Sequence, residues 1–347
     1  MDFRSDNVVP AAPAILEAVL DANRDSVTSY AADPYTARAE AALKALFERD
    51  DLFMLPVVSG TATNALALAT YAPTYGAVYC HEEAHIRLEE AGAPGFYTGG
   101  AVLVPLAGPN GKFSAAVLAE ALSHAKAGGV HWSKPALVSV TQVTEAGTLY
   151  ALDEVRAIAD VARKASLIVH MDGARFANAV AALGCTPADA SWKLGVDVLS
   201  FGATKGGALA AEAVILFGAD AAARERLRYL HKRAGLLLSK MRFVSAQLEA
   251  FVADGLWLAL ARHANAMAAR LSQGLAARPG VRLAFPTEAN EVFAHIPDAG
   301  LKALEAGGAK FLRIGAADST LARFVCSHAT RAAEVDAFLA LALARLG

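Results

Sequence analysis

VDVLSFGATKGGA, residues 196–208, joins a run of apolar side chains to a lysine with glycines on both sides. The run predicts a buried β-strand that ends near Phe201. Lys205 then lies just beyond the strand end, where parallel α/β sheets bind their ligands. Lysine can form a Schiff base there, because its pKa falls readily when the amine is desolvated. For this segment alone, a surface lysine or an ion-pair partner remains the alternative.

LIVHMDGAR, residues 167–175, is a second apolar run with polar residues at its end. Asp172 follows the predicted strand directly, so its carboxylate can face the same crevice as Lys205. A carboxylate in that place keeps the ring nitrogen of pyridoxal 5'-phosphate (PLP) protonated, which lets the ring withdraw electrons. Arg175 lies close enough to reach a cofactor oxygen or a substrate carboxylate. A salt bridge at the strand end is the alternative for this pair.

SGTATN, residues 59–64, lies between a predicted strand and a predicted helix. Glycine and small hydroxyl residues at a helix N-terminus form an anion site from backbone N–H groups and side-chain donors, which suits a monophosphate. A plain helix cap at Thr61 or Thr63 is the alternative. The sequence contains neither GxGxxG nor GxxxxGK[ST], so dinucleotide and Walker-type nucleotide sites are disfavoured.

HEEAH, residues 81–85, matches the HExxH zinc pattern. That pattern needs both histidines on one helical face, with the glutamate as base. Here it follows at once on a short predicted strand, and no matching histidine motif follows downstream. A zinc hydrolase built on His81 and His85 is therefore kept only as an alternative to a role for His85 in stacking on a planar cofactor.

Composition narrows the class of protein. The chain has 347 residues, a formal net charge of -2, 55% apolar residues and 19% charged residues. We expect no nucleic-acid partner, which would need a basic face. We also expect no signal peptide and no membrane span, because the N-terminus lacks the pattern and charges interrupt the apolar stretches. Three scattered cysteines fit neither a disulfide framework nor a metal site, so we expect a reducing cytoplasm.

Strand and helix patterns alternate in the first two thirds of the chain. Strands are predicted at 52–58, 77–80, 102–105, 136–140, 167–171, 196–201 and 213–217, and helices at 63–71, 115–127 and 153–165. This alternation predicts an α/β fold with a mostly parallel sheet. Later strands are predicted at 281–285, 291–295, 311–314 and 323–326, before a helix at 334–346. We predict a large domain over 1–245, including the N-terminal segment, and a small α+β domain over 246–347.

Taken together, these segments resemble the threonine aldolase family, in the β-eliminating lyase branch of fold-type-I PLP enzymes. FRSDNVVP at 3–10 resembles the family's R-S-D-T-V-T opening, and SYAADPY at 29–35 resembles its Y-G-x-D-P segment. SGTATN, the region around His85, HMDGAR and the lysine strand follow in the family's order. ARFVCSH at 322–328 resembles V-R-x-V-T-H. The resemblance therefore covers most of the chain, from Phe3 to about Arg331.

The resemblance implies PLP as cofactor and a fold-type-I architecture. The implied reaction is retro-aldol cleavage of L-threonine, L-allo-threonine and related β-hydroxy-α-amino acids, including phenylserine, to glycine and an aldehyde. Another PLP-dependent amino-acid lyase that works by β-elimination, or an aminotransferase, is the alternative. The family's assembly implies a homodimer or homotetramer with active sites shared between subunits.

Cofactor contacts carry over residue by residue. By resemblance, Gly60 and Thr61 would hold the phosphate, and His85 would stack on the ring. Asp172 would pair with the ring nitrogen. Arg175 would also touch the cofactor, and Lys205 would bind it covalently.

Substrate contacts carry over in the same way. By resemblance, Arg175 and Arg323 would grip the substrate carboxylate with help from Ser5, and Tyr30 would reach in from a neighbouring subunit. His131 occupies the place of a second active-site histidine. The proton acceptor stays open between His85, His131 and a water between them.

Two segments depart from the family's pattern. The lysine lies in TKGGALA, where the family often has S-K-G-L-G-x-P. LLLSK at 236–240 aligns with the family's G-G-G-M-R loop, so Lys240 would replace an arginine that touches the phosphate across the subunit interface. Arg233 is an alternative donor for that contact.

Overall fold

Two β-sheets organise the molecule, seen in a computed structural model that describes residues 1–316 and 319–346. The strands are β1 (Phe53–Val57), β2 (Gly76–His81), β3 (Val102–Leu106), β4 (Lys134–Thr141), β5 (Ile168–Gly173), β6 (Val198–Gly202), β7 (Glu212–Leu216), β8 (Arg282–Leu283), β9 (Glu291–His295), β10 (Leu312–Arg313) and β11 (Leu321–Val325). The α-helices are α1 (Pro13–Asp21), α2 (Pro34–Leu46), α3 (Gly60–Tyr71), α4 (His85–Leu88), α5 (Ala93–Thr98), α6 (Ala115–Gly128), α7 (Leu152–Lys164), α8 (Phe176–Leu183), α9 (Ala221–Arg233), α10 (Arg242–Val252), α11 (Leu256–Ala276), α12 (Asp298–Ala306) and α13 (Ala332–Leu346).

The larger sheet has seven strands in the order β1-β7-β6-β5-β4-β2-β3. Only β7 runs against its neighbours, β1 and β6, so the other six strands share one direction. Strands β2, β6 and β7 are buried along their whole length, as expected where helices cover both faces of a sheet. The predicted α/β class with a mostly parallel sheet is confirmed.

Local sequence explains where several helices begin. A side-chain oxygen at the N-cap accepts a hydrogen bond from a backbone N–H in the first turn of α2, α3, α6 and α9, which satisfies a donor with no partner inside the helix. The capping residues are Asp33, Ser59, Ser114 and Asp220. Pro34 adds a fixed φ at the first position of α2.

The smaller sheet has four antiparallel strands in the order β10-β11-β9-β8. The predicted strands at 281–285 and 311–314 shrink to the two-residue edge strands β8 and β10. The predicted strands at 291–295 and 323–326 appear as β9 and β11, and the predicted helix at 334–346 as α13.

The N-terminal segment packs with the C-terminal part of the chain. The Phe3 N–H donates to the Lys310 carbonyl at 2.8 Å, and the Val325 N–H donates to the Phe3 carbonyl at 2.8 Å. The Phe3 ring is 1% exposed and meets the Phe338 ring edge-on at 5.3 Å between centroids. The first three residues thus join the smaller core, and not the large domain in which the prediction placed them.

The two cores meet along α11. Its first turns place Trp257 and Ala261 in the core of the larger sheet, and its later turns place Leu271 and Leu275 in the smaller core. The predicted boundary at 245 falls inside α10, whose Leu248 also belongs to the larger core. The division between the cores therefore comes later in the chain, within α11.

Residues 242–276 are long and apolar enough, by length and composition alone, to cross a membrane. The stretch is broken between α10 and α11 at Asp254, whose φ is 51°. Both helices bury apolar side chains in the protein's own cores. Core helices commonly have this composition, so the stretch is weak evidence for a membrane span.

We expect Phe3→Ala to lower the free energy of unfolding by about 3–5 kcal/mol, because the missing ring leaves a cavity between tightly packed aromatic side chains. Urea denaturation followed by circular dichroism measures the change. Val130→Ala is the matched control, because Val130 is 97% exposed and should change stability by less than about 0.5 kcal/mol. Equal effects of the two substitutions would contradict this account of the N-terminal segment.

Candidate active site

The parallel strands place their following residues at one edge of the large sheet. Thr141 at the end of β4 is in register with Asp172 near the end of β5, and Asp172 is in register with Ser200 of β6. Because these strands share one direction, the loops that follow them meet at the same edge, where α/β proteins bind ligands. The segments singled out in the sequence around Asp172 and Lys205 are therefore brought together.

Lys205 lies in the tight turn that follows β6. The Gly206 and Ala208 N–H groups both donate to the Ala203 carbonyl at 3.0 Å, which folds the turn back over the strand end. A Cβ atom on Gly202 would lie 2.5 Å from the Ala174 carbonyl oxygen, so the loops after β5 and β6 approach closely only because this residue is glycine. Lys205 lines both clefts at this edge of the sheet.

Asp172 is held in place by two donors. The Ala174 N–H donates to its Oδ1 at 3.0 Å, and the Asn64 side-chain amide donates to its Oδ2 at 2.8 Å. The residue is 3% exposed, so these bonds satisfy a carboxylate that burial would otherwise penalise. Asp172 therefore presents a carboxylate of fixed orientation to the cleft, as a cofactor ring nitrogen requires.

His85 is fixed by a buried glutamate. Its Nδ1 lies 2.9 Å from Glu90 Oε1, and the Asn64 amide donates to the same Oε1 at 2.8 Å. The hydrogen bond to Glu90 raises the pKa of His85 against the opposing effect of burial. The Asn64 amide thus links His85 and Asp172 through one hydrogen-bonded chain, with Glu90 in the middle.

The N-terminus of α3 forms the polar end of the site. The Ser59 hydroxyl accepts from the Ala62 N–H at 3.3 Å, so Ser59 is the helix cap and the hydroxyl of Thr61 is not needed for capping. A Cβ atom on Gly60 would meet nothing within 4 Å, which leaves open space over the first turn. A cleft of about 250 Å³ lies there, between this turn and Thr204. These donors fit a phosphate group.

Arg175 is engaged by two buried carboxylates. Its Nε lies 2.7 Å from Asp6 Oδ2, and its Nη1 lies 3.3 Å from Glu291 Oε2. Burial alone would lower the pKa of Arg175, but the charges of Asp6 and Glu291 outweigh it and raise the pKa. Arg175 lines the cleft near Lys205, but its charge is largely balanced by its ion pairs with Asp6 and Glu291.

Arg323, on β11, approaches the same glutamate from the smaller sheet. Its Nη1 lies 3.9 Å from Glu291 Oε1, a longer distance than Arg175 makes. Its buried Nε has no hydrogen-bond partner among residues 1–316 and 319–346. Of the two arginines predicted to grip a carboxylate, Arg323 is therefore the one with a donor to spare. Ser5 accepts from the Asn7 N–H at 3.1 Å and lies next to Asp6.

His131 does not join this cluster. It is exposed and lies just before β4, whose carboxyl end carries the site. An eight-residue strand is about 25 Å long, so His131 lies at the opposite edge of the sheet. The structure thus does not bring His131 to this chain's own clefts, because residues before a parallel strand lie on the side away from the site, and its role as a second active-site histidine stays a prediction.

Tyr30, Arg233 and Lys240 are also exposed and lie outside the clefts that Lys205 lines. The Tyr30 N–H donates to the Ser239 carbonyl at 3.1 Å, and the Lys232 ammonium lies 4.6 Å from the centre of the Tyr30 ring. These residues therefore share one surface. Their predicted contacts with a neighbouring subunit's site stay predictions.

The HExxH histidines do not lie on one helical face. His81 ends β2, and His85 begins α4 after Ala84, whose ψ of 136° is not helical. His81 Nε2 lies 3.0 Å from the Gly108 carbonyl oxygen, and His85 Nδ1 contacts Glu90. The geometry of a zinc protease motif is absent from this segment, which weakens the hydrolase alternative.

Four residues that the sequence did not single out complete the site, and they are Asp6, Asn64, Glu90 and Glu291. Asp6 and Arg175 are 169 positions apart, and Asn64 and Asp172 are 108 apart. No local pattern marks such partners. Glu145 also lines the cleft, and its place shortly after a buried strand is a signal that the sequence did carry.

We expect Glu90→Gln to lower the pKa of His85, because the neutral amide no longer stabilises the charged ring while burial still disfavours it. Titration of the imidazole signals by NMR measures the change. The control is Glu89→Gln, an exposed neighbour whose side chain should leave the His85 titration unaltered. An unchanged titration in Glu90→Gln would contradict the role of Glu90.

Comparison with known proteins gives the family. A model of the β-eliminating lyase family matches residues 2–299. The chain is 42% identical to a low specificity L-threonine aldolase from Pseudomonas sp. (strain NCIMB 10558), over 96% of this chain and 94% of that protein. It is also 42% identical to the low specificity L-threonine aldolase of Pseudomonas aeruginosa, over 94% of this chain and 93% of that protein.

Solved structures agree with the fold. The structure of Leishmania major threonine aldolase matches with a TM-score of 0.92 at 28% identity, and the match covers 100% of this chain and 99% of that one. The Sphingomonas wittichii serine palmitoyltransferase matches with a TM-score of 0.73 at 16% identity, over 99% of this chain and 81% of that one, and shares the fold alone. The chain belongs to the β-eliminating lyase family and, within it, to the low specificity L-threonine aldolases.

Proposed function

We propose that the protein is a PLP-dependent aldehyde-lyase that cleaves L-threonine, L-allo-threonine and related β-hydroxy-α-amino acids to glycine and an aldehyde. One observation carries the proposal: Lys205, Asp172, His85 and the open first turn of α3 meet at one edge of the sheet. Each would supply a different contact to the same cofactor. The relatives named above are threonine aldolases, which supports the choice of reaction.

The residues present fit PLP. Gly60 and Thr61 would hold the phosphate, because a helix N-terminus with open space above it favours an anion. Asp172 would hold the ring nitrogen, His85 would lie against the ring, and Lys205 would bind the aldehyde carbon. Bound PLP supplies an electron sink that withdraws the electron pair of a broken bond at Cα.

The arginines would orient the substrate. Arg323 has a free donor for the substrate carboxylate, while Arg175 is steadied by Asp6 and Glu291 and can offer its remaining donors. Ser5 would assist them. Fixing the carboxylate decides which Cα bond stands perpendicular to the ring, and that choice separates cleavage from transamination. Arg175 and Asp6 thereby brace the site, and Arg323 is the proposed main contact.

We also propose a homodimer or homotetramer in the cytoplasm, with sites shared between subunits. The shared surface of Tyr30, Lys232 and Ser239 supports the proposed oligomer. The exposed Tyr30 ring does not line the clefts of its own chain that contain Lys205. Arg233 and Lys240 would act from the same surface. Three free cysteines, two of them buried, suit a reducing compartment.

An assay of the purified protein tests the reaction. The protein is incubated with threonine, allo-threonine and phenylserine, with and without added PLP. Glycine and the matching aldehyde are expected, with a rate that depends on PLP. Ammonia and a keto acid would instead show β-elimination or transamination. Bound zinc in the purified protein, with no cleavage of these amino acids, would favour the metal-dependent hydrolase.

Lys205→Ala is expected to abolish the visible absorbance band that appears when PLP is added, since the amine that binds the cofactor is gone. In the unaltered protein, borohydride should bleach this band and fix PLP on Lys205, as mass spectrometry of peptides would show. Lys193→Ala serves as the control, because Lys193 lies on the surface in ion pairs with Glu48 and Asp189. A normal band in Lys205→Ala would disprove the assignment.

Arg323→Ala is expected to raise the KM for threonine by about tenfold to a hundredfold, the value of one or two hydrogen bonds to a charged group. PLP affinity, measured from the visible band, should change little. Arg313→Ala is the control, since Arg313 lies on the edge strand β10 and forms ion pairs with Asp298 and Glu305. Equal losses of threonine and PLP affinity would count against a substrate contact.

A further inference from the structure

The cavity beside Lys205 contains a carboxyl group that none of these roles uses. Glu145 lies four residues after the end of β4 and lines a cavity of about 60 Å³ together with His85, Asp172 and Lys205. It is thus at the carboxyl edge of the sheet, in the loop after β4, the strand next to the one that carries Asp172.

The two oxygens of Glu145 have different surroundings. Oε1 accepts from the His85 backbone N–H at 2.8 Å and from the Thr141 hydroxyl at 3.1 Å, which fixes the side chain. Oε2 is buried, and no residue in 1–316 or 319–346 donates a hydrogen bond to it. A buried carboxylate oxygen without a donor is costly, so its retention in a ligand cleft points to a donor that arrives with the ligand.

The protonation of Glu145 suits proton transfer near neutral pH. Burial, with a smaller contribution from the negative charge of Asp172, raises the pKa of Glu145 to about 7 against the opposing effect of the hydrogen bond from the His85 backbone N–H. An acid or base works best when its pKa lies near the pH at which it acts. The hydrogen bond to Glu90 raises the pKa of His85, which keeps more of that ring in the charged form that cannot accept a proton.

The other titratable and charged groups around Glu145 are His85 on α4, Asp172 on β5, Cys80 on β2, Tyr150 before α7, and Arg175 and Lys205 across the cavity. Burial raises the pKa of the Cys80 thiol to about 12 and also raises the pKa of the Tyr150 phenol. Neither group exchanges protons near neutral pH. Arg175 stays charged, and Lys205 is the proposed cofactor anchor.

We infer that Glu145 is the catalytic base that accepts the β-hydroxyl proton of the substrate through its free Oε2. This inference rests on the proposed function. The O–H bond breaks and its proton moves to Oε2. The oxygen's electron pair forms the C=O bond of the aldehyde, the Cα–Cβ bond breaks, and its electron pair stays on Cα. A proton then adds to Cα to give glycine, and Glu145 returns its proton to solvent.

The direction of the pH dependence follows from the acceptor role. Glu145 must be ionised to accept a proton, so kcat for threonine should rise as the pH rises through about 7. Below that value the carboxyl is protonated, and cleavage is lost. Hydrogen exchange at Cα of glycine involves no β-hydroxyl group, so it should not need Glu145.

The test compares Glu145→Gln with Glu83→Gln in the PLP-loaded protein. The amide in the first variant keeps an oxygen for the His85 N–H but cannot accept the proton. We expect threonine cleavage to fall at least a hundredfold, the usual contribution of a general base being about 10²–10⁴-fold. Exchange of the glycine Cα hydrogen with deuterium, followed by NMR, should stay within about threefold. Glu83 is exposed, and its variant should keep both activities.

A second measurement does not depend on activity. Infrared difference spectra of the cofactor-free protein follow the C=O stretch of protonated carboxyl groups with pH. Burial also raises the pKa of Glu212 to about 7, so the intensity that titrates there should fall in Glu145→Gln without vanishing, and should be unchanged in Glu83→Gln. Unchanged intensity in Glu145→Gln would overturn the inference.

The kinetic outcomes divide cleanly. The inference that Glu145 is the base would also be overturned by cleavage close to normal in Glu145→Gln. Equal losses of cleavage and glycine exchange in that variant would overturn it as well. If Glu145→Gln does not fold, Glu145→Ala replaces it, and added formate should then restore cleavage; a folded Ala variant that formate does not rescue counts against the inference. An unaltered protein that fails to cleave threonine would instead refute the proposed function, and the inference with it.

Discussion

The site depends on one constraint, the common direction of six strands in the large sheet. Since β2, β4, β5 and β6 all run the same way, the loops that follow them meet at one edge and carry His85, Glu145, Asp172 and Lys205 to within one cavity. These four residues come from segments that are far apart in sequence. Reversing one strand would remove its residue from the cavity, because its loop would then open on the opposite side.

Several carboxyl groups lie in or beside the site, and each has different hydrogen-bond or ion-pair partners. Asp6 is paired with Arg175, Asp172 is bonded by Asn64 and a backbone N–H, and Glu90 is bonded by Asn64 and His85. Although burial opposes ionisation, the charges of Arg175 and Lys205 lower the pKa of Asp6. Glu145 is not ion-paired with a cation among the described residues, and burial raises its pKa. The carboxyl groups of the site thus differ in how readily they ionise, since the pKa of Asp6 is lowered and that of Glu145 is raised.

How far the sequence could predict this site depends on how far apart in the sequence the two residues of each contact lie. Asp172 and Lys205 were predictable, because a buried parallel strand leaves an apolar run and the functional residue follows it. The contacts of Asn64 and Asp6 were not, since both residues lie in quoted motifs but their partners come from distant segments. His131 precedes its strand, so it lies away from its own chain's clefts, and its predicted role stays a prediction.

The strands of the fold were easier to predict from the sequence than the points at which they begin and end. The β-α alternation identified all seven strands of the large sheet to within a few residues, because each is a run of mainly apolar residues, including the partly exposed edge strand β3. The two-residue strands β8 and β10 were overestimated, since an edge strand is limited by its single neighbour and not by its own apolar content. The packing of Phe3 in the smaller core was not foreseen, because a three-residue tail carries no periodicity.

That N-terminal segment makes completion of the site a late event in synthesis. Phe3 is held between Lys310 and Val325, and three residues later Asp6 reaches Arg175. Strand β11, which provides Val325, follows every strand of the large sheet in the chain and is therefore synthesised after them. Before β11 is made, Phe3 lacks one of its backbone partners on the smaller sheet. A nascent chain can therefore begin the large sheet early, while the contacts that hold the segment carrying Asp6 form only after the smaller sheet has been synthesised.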